Sequence, residues 1–250
     1  MSFWDHLDVL RGTLFRSIVA IVLISIVFLA IPERLFKAVL WPTTPDFILY
    51  RWLGLDFEMS LINIEVSAQF FVHLKISILM AAIVVAFPYI VWEIWKFIAP
   101  ALYANEKKAV GKAFGMSSFL FYLGVAVGYF VVLPVCLMFF MNYTVSDAVV
   151  NTISLSSYIS LFTSMVFLIG LLFEFPTVVL VLSNMGILTR KQLKGFRKSA
   201  FVVILILAAI ITPSDPFSMF VLAIPLYGLY EFSILVCKPG IEEPADDLPE

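Results

Sequence analysis

The sequence is poor in charge, cysteine and histidine. Charged residues make up 14% of the 250 positions, against about 25% in a typical soluble domain. Two cysteines exclude a disulfide scaffold, and two histidines without a cysteine cluster exclude an ordinary zinc site. The net charge of −2 leaves no basic field that could hold nucleic acid. We therefore expect no cofactor, no metal and no nucleic-acid partner.

Hydrophobic residues dominate instead, at 62% of the chain with a mean hydropathy of +1.03. This composition predicts an all-α integral membrane protein with six transmembrane helices. The apolar runs cover residues 14–31, 70–92, 113–141, 158–182, 200–211 and 217–237. The fifth run would cover only about 18 Å of a hydrocarbon core of ~30 Å. We therefore expect the last two helices to be short, with a re-entrant hairpin over residues 200–237 as the alternative.

Basic residues are distributed unevenly between the predicted loops. Twelve of the sixteen lie on the side that holds both termini, three lie on the opposite side, and Lys75 lies within a span. This asymmetry predicts an inner-membrane protein with both termini in the cytoplasm. Residues 32–69 form an outside segment whose prolines and tryptophans predict a packed cap. Residues 1–237 make a single domain in the lipid bilayer, followed by an acidic cytoplasmic tail, 238–250.

Proline occurs within four of the predicted spans. The four prolines are Pro88, Pro134, Pro176 and Pro225. Each frees the backbone carbonyl four residues earlier, and the four carbonyls belong to Val84, Phe130, Leu172 and Val221. A neighbouring helix or a polar side chain must satisfy each of these oxygens. Kinked helices of this kind, placed side by side, can form a curved wall.

Few polar groups interrupt the spans. Glu174 is the only acid deep in a predicted span, which makes it either a functional group or a protonated carboxyl that satisfies the Pro176 kink. Lys75 and His73 lie near the outer end of the second span, where either could serve the membrane interface alone. The glycines of the Gly124-x-x-x-Gly128 pattern predict close helix packing, most simply within this chain.

No enzyme motif is present. The sequence has no glycine-rich phosphate loop, no HExxH and no GxSxG, so we expect no enzymatic activity. Two other classes fit a polytopic membrane protein. One is a proton-coupled small-solute transporter that uses Glu174, and the other is a purely structural assembly subunit.

Several motifs occur together in one order along the chain. The segment WKFIAPALYANEKK covers residues 95–108, and HLDVLR covers residues 6–11. FYLG (121–124), YFVVLP (129–134), FEFP (173–176), MGILT (185–189), TPSD (212–215) and AIP (223–225) follow. Together they closely resemble the TatC family, the core subunit of the twin-arginine protein translocase, over residues 6 to about 237. The segment from Phe97 to Glu106 is the most specific part.

The resemblance implies a function and partners. Members of this family recognise signal peptides with paired arginines and move folded proteins across the membrane. It implies a concave, glove-like wall of six helices, single-span partners of the TatA and TatB type, and self-association. It also implies that energy comes from the proton-motive force, in keeping with the missing phosphate loop.

The resemblance also implies a binding site. Its matched signal-peptide residues are Phe97, Pro100, Leu102, Tyr103, Glu106 and Arg11. Glu174, Asp215, Pro42 and Tyr129 match further positions for partners or for intramembrane polar contacts. From residue chemistry alone, Glu106 is equally a helix N-terminal acid after an Asn105 cap.

Two positions depart from the family pattern. Val9 occupies the acidic position of the N-terminal motif, and Met219 occupies that of an expected glutamine. We expect Asp8 to join Glu106 at the arginine pair. The alternative is that Asp8 pairs with Arg11 along the helix.

Overall fold

The computed structural model describes residues 3–99, 104–146, 151–212 and 215–237, and these are predominantly helical. In the first half the helices are α1 (Phe3–Leu29), α2 (Pro32–Leu40), α3 (Ile48–Leu53), α4 (Ala68–Ala81), α5 (Phe87–Ile98) and α6 (Ala104–Val127). In the second half they are α7 (Leu133–Asn142), α8 (Leu155–Leu172), α9 (Phe175–Asn184), α10 (Arg190–Gly195), α11 (Arg197–Ile211) and α12 (Pro216–Val236). The predicted helical membrane fold is confirmed at this level.

Four helical stretches among the described residues are long and apolar enough to cross a membrane. They are Asp8–Leu29, Val110–Asn142, Leu155–Asn184 and Pro216–Val236. A fifth arises if α4 and α5, which meet at an angle of 54°, form one bent span. The fifth predicted span, residues 200–211, falls on α11, whose 15 residues reach about 22 Å. The expectation of a short last helix is wrong, because α12 has 21 residues.

The prolines act on the backbone in different ways. A π-helical turn, Ala82–Ala86, comes just before Pro88, and another, Gly128–Val132, comes before Pro134. A π turn accommodates the missing backbone donor by widening the helix locally. Pro176 separates α8 from α9, whereas α12 continues past Pro225.

The carbonyl oxygen freed by Pro88 accepts a hydrogen bond from a neighbouring helix. The hydroxyl of Tyr122 on α6 donates to the oxygen of Val84 at 2.9 Å. This confirms for one of the four carbonyls that a polar side chain of a neighbouring helix satisfies it. The same bond ties the bend between α4 and α5 to α6.

Glycine allows α6 to approach α8 closely. A Cβ atom added at Gly124 would lie 2.6 Å from the Phe173 ring and 2.9 Å from the backbone of Gly170. One added at Gly128 would lie 3.0 Å from the carbonyl oxygen of Met165. Side chains at these positions would push the two helices apart. The prediction that the glycine pattern serves packing within this chain is confirmed.

Of the predicted packed segment, residues 32–69, the structure packs residues 32–57, which we call the cap, whereas most of residues 58–67 are exposed. The centre of the cap is Phe47, whose fully buried ring contacts the rings of Trp41, Tyr50, Tyr129 and Phe130. Centroid separations from Phe47 lie between 5.1 and 5.9 Å. The cap is therefore an aromatic cluster joined to the helix that contains Tyr129 and Phe130.

Tyrosine hydroxyls satisfy the backbone where the cap turns. Tyr158 on α8 donates to Val39 at 2.6 Å, and Tyr129 donates to Ala38 at 2.6 Å. Both oxygens belong to the last turn of α2, which has no intrahelical donors left for them. Burial raises the pKa of the Tyr50 hydroxyl, which remains a donor to Pro42 at 2.8 Å.

The expectation of an all-α chain needs one correction. Leu61–Ile62 (β1) pairs in parallel with Ile153–Ser154 (β2), next to the cap. Two residues are too few to show a strand periodicity in the sequence. The short ladder joins the segment before α4 to the segment before α8, which are far apart along the chain.

Candidate functional site

An ion-pair cluster lies at the opposite end of the helices from the cap. Glu93 on α5 accepts from Arg16 on α1, with its Oε2 atom 2.6 Å from Nη2 and 3.0 Å from Nε. The other oxygen, Oε1, lies 3.3 Å from Lys96 Nζ. The Glu93 side chain is only 3% exposed, whereas Arg16 and Lys96 are about half exposed. One buried carboxylate thus holds two cations.

The apolar pattern of the sequence does not reveal Glu93. The second apolar run ends at residue 92, one residue before Glu93, but α5 continues to Ile98. Lys96 lies one turn later and stacks over the Trp92 ring, with Nζ 3.1 Å from its centroid. An acid followed three residues later by a lysine favours helix continuation, and this signal could have extended the helix.

The cluster links the N-terminal helix to a distant part of the chain. Arg16 and Glu93 are 77 residues apart, and their bond joins α1 to α5. Asp8 and Arg11 lie on α1 two turns and one turn before Arg16, and both are exposed. Within the part of the chain that the structure describes, no ion pair joins Asp8 to Arg11. The Asp8 carboxylate therefore faces solvent or a membrane surface.

The predicted signal-peptide segment begins where α5 ends. Phe97 lies in the last turn of α5 and is partly buried. Pro100, Leu102 and Tyr103 lie outside the described residues. The backbone of Glu106 belongs to the first turn of α6, and its side chain lies outside the described part. Of the matched set, the structure therefore describes the surroundings of Phe97, Asp8 and Arg11.

Glu174 lies at the break between α8 and α9. Its Oε2 atom accepts a short hydrogen bond from the Ser117 hydroxyl on α6. The Oε1 atom is buried and has no hydrogen-bond partner among the described residues. The carboxyl is therefore held by its own chain through Ser117, with the Thr177 hydroxyl and the Phe121 backbone as further donors close to it.

Asp215 begins the last helix. Its Oδ1 atom accepts from the Ser218 backbone amide at 2.7 Å, which makes Asp215 the N-cap of α12. Pro216 follows at the first helical position, where its missing amide proton costs nothing. The Oδ2 atom of Asp215 is buried and has no hydrogen-bond partner in the described residues.

Pro42 and Tyr129 belong to the cap. The Pro42 carbonyl accepts from Tyr50, and Tyr129 packs its ring against Phe47 while donating to Ala38. Both residues therefore shape the cap and lie away from the Arg16–Glu93 cluster. The matched residues thus fall at two ends of the molecule, with Glu174 between them.

Comparison with known proteins identifies the family. A family model described as Sec-independent protein translocase protein (TatC) matches residues 5–225. The chain belongs to the TatC family. The expectation drawn from the sequence motifs is confirmed, and the chain is a membrane protein of a protein-transport family.

Relatives within the TatC family match almost the whole chain. The Sec-independent protein translocase protein TatC of Blattabacterium sp. subsp. Periplaneta americana is 35% identical over 252 residues, 94% of either chain. That of Helicobacter pylori (strain J99) is 39% identical over 199 residues, 80% of this chain and 79% of the relative. A crystal structure of the twin arginine translocase receptor TatC superposes with a TM-score of 0.77 at 34% identity, covering 92% of this chain and 97% of the other.

Proposed function

We propose that this chain is the core receptor subunit of a twin-arginine translocase. In this proposal it recognises twin-arginine signal peptides and acts with TatA- and TatB-type partners. It associates with further copies of itself and moves folded proteins across the inner membrane at the expense of the proton-motive force. The family assignment favours protein transport over the small-solute alternative and over a purely structural subunit.

One observation carries the proposal. The N-terminal helix α1 lies beside the end of α5, where Arg16 contacts Glu93. The segment with Asp8 and Arg11 and the segment from Phe97 to Glu106 therefore leave the same end of the helix bundle. These are the two segments that the sequence motifs match to signal-peptide recognition.

The chemistry of the site follows from the ligand. Two guanidinium groups need acceptors, and carboxylates make strong charge-assisted hydrogen bonds with them. A unit charge pair at 4 Å gains about 4 kcal/mol at an effective dielectric near 20, before desolvation. We assign Glu106 and Asp8 as acceptors, with Arg11 beside them. Phe97, Pro100, Leu102 and Tyr103 frame the peptide.

The membrane arrangement is part of the proposal. Six spans with both termini in the cytoplasm place the Arg16–Glu93 cluster at the cytoplasmic face and the cap outside. In this arrangement α11 is the short span, because it reaches only about 22 Å, whereas the 21 residues of α12 are long enough to cross.

Glu174 serves partner or signal helices in this proposal. Its Oε1 atom has an acceptor position that no described residue fills, and it lies between α8, α9 and Ser117 of α6. Because this oxygen is buried, a visiting helix could donate to it only after α6 moves away from the break between α8 and α9. Asp215 offers a similar unfilled oxygen at the start of α12.

Photo-crosslinking tests the receptor proposal. A twin-arginine signal peptide with a photoreactive side chain next to the arginine pair is added to membranes that contain the full chain. We expect crosslinks to residues 97–106 and to α1, because both segments line the proposed site. The matched control is the same peptide with two lysines, which lacks the bidentate donors.

Two crosslinking results would contradict the receptor proposal. Equal crosslinking by the arginine and lysine peptides, or crosslinks confined to the cap, would overturn the proposal. A Glu106→Gln variant sharpens the test, since it removes the charge but keeps the volume. We expect it to weaken the crosslinks while the chain still inserts into membranes.

A further inference from the structure

We propose that Glu93 is an additional acceptor for a signal-peptide arginine, and that Arg16 occupies it in the resting chain as an internal competitor. The inference rests on the proposed function, because it names a further contact of the same receptor site. It assigns to Arg16 an inhibitory role that a purely structural ion pair would not have.

The contacts between Arg16 and Glu93 resemble those that a bound peptide arginine would make. Arg16 directs two nitrogen atoms, Nε and Nη2, at one oxygen of Glu93. Lys96 approaches the other oxygen, so the acid already holds one guanidinium and one ammonium. Two cations next to one acid mean that the carboxylate alone does not neutralise the cluster. An incoming guanidinium must therefore replace a resident cation.

Exposure decides which cation can leave. Half of the Arg16 side chain is exposed, and its third contact, with the Thr13 hydroxyl, is long at 3.4 Å. Arg16 can therefore return to water at little cost, as is usual for half-exposed ion pairs. The Glu93 carboxylate is 3% exposed and would be costly to leave unpaired. Exchange of one guanidinium for another keeps this acid paired.

The geometry suits two adjacent arginines. Asp8 and Arg16 are eight residues apart on α1, a separation of about 12 Å along the helix. Neighbouring side chains of an extended peptide project to opposite faces, so two arginine heads separate by roughly twice a side-chain length. One head can then reach Asp8 while the other reaches Glu93. A single arginine or a lysine pair could not make the same set of bonds.

The test measures affinity for a fluorescent twin-arginine signal peptide. The full chain is assayed in lipid nanodiscs as parent, Arg16→Gln and Glu93→Gln. We expect Arg16→Gln to bind about threefold to fivefold more tightly, the range expected when a half-exposed ion pair no longer competes. We expect Glu93→Gln to bind more weakly, and the double variant to lose the gain of Arg16→Gln.

Two control variants separate exchange from other effects. Arg197→Gln breaks a second ion pair, Arg197–Glu231, with the same N–O distance of 2.6 Å and a similarly exposed arginine. It should not tighten binding. Lys96→Gln removes the same charge from the Glu93 cluster as Arg16→Gln, but from the other oxygen. An equal gain in Lys96→Gln would mean that only the local charge matters, and would overturn the inference.

The remaining outcomes also decide the question. Unchanged or weaker binding by Arg16→Gln, or failure of that variant to accumulate in membranes, would make Arg16 a structural clamp and overturn the inference alone. A parent chain that binds twin-arginine and twin-lysine peptides equally would overturn the proposed function, and the inference with it.

Discussion

The two ends of the helix bundle are held together by different chemistry. At the cap, aromatic rings surround Phe47, and tyrosine hydroxyls donate to backbone carbonyls. At the other end, ion pairs such as Arg16–Glu93 and Arg197–Glu231 join the helices. The arginines of these pairs are about half exposed, whereas Phe47 and Tyr158 are buried.

This difference has mechanical consequences. Buried rings and satisfied carbonyls fix one arrangement, because every displacement opens a cavity or leaves an acceptor unpaired. Half-exposed ion pairs can exchange their partners with water or with another cation. We infer that the cap holds the helices in place and that the charged end is the adjustable part, where a cationic ligand can act.

The largest expected effect concerns the side of the membrane that each end faces. Cysteines placed at the exposed positions Ile48 in the cap and Lys194 on α10 should react with an impermeant maleimide from opposite sides. Intact cells should label position 48 only, and inverted vesicles position 194 only. The native Cys136 and Cys237 are buried and provide the background control. Labelling of both positions from one side would contradict the proposed topology.

A smaller effect is expected from a break in the aromatic cluster. Phe47→Ala should lower the free energy of unfolding by about 3–5 kcal/mol, because it removes a fully buried ring and leaves a cavity. Unfolding in mixed micelles with increasing dodecyl sulfate measures this. Trp52→Ala is the matched control, since that ring is 81% exposed and its loss should change little. Similar losses in both variants would mean that the cap is not a packed unit.

The smallest effect is expected at the charged end. Arg197→Gln should cost about 1 kcal/mol or less in the same assay, because the Arg197–Glu231 pair is solvent-exposed. The difference from the parent should shrink further in 1 M salt, where the screening length falls to about 3 Å. Lys198→Gln serves as the control at an exposed neighbouring position. A loss as large as that of Phe47→Ala would remove the contrast between the two ends.

Local sequence patterns predicted much of the structure. The apolar runs, the packed cap and the glycine face of α6 follow from composition and spacing. The sequence predicts that Pro88 leaves the Val84 carbonyl in need of a donor. It does not predict that Tyr122 is that donor. That choice depends on how α6 packs against the bend between α4 and α5, which no local pattern contains.

Contacts between distant residues were harder to predict. Glu93 did not stand out in the sequence, because its partner Arg16 lies 77 residues earlier. The pairing of β1 with β2 involves two residues on each side, too few for a periodic signal. Asp8, the proposed N-terminal acceptor, was also hard to interpret from sequence, since its surroundings depend on the packing of α1 against α5.

The bond between Tyr158 and Val39 also sets an order of events during synthesis. Its partners lie 119 residues apart. At about 5–20 residues per second, a ribosome needs roughly 6 to 24 s to make the chain between them. Throughout that interval the first helices are already made while the Val39 carbonyl still lacks its tyrosine donor. The cap can therefore take its final form only after the ribosome has made the start of α8.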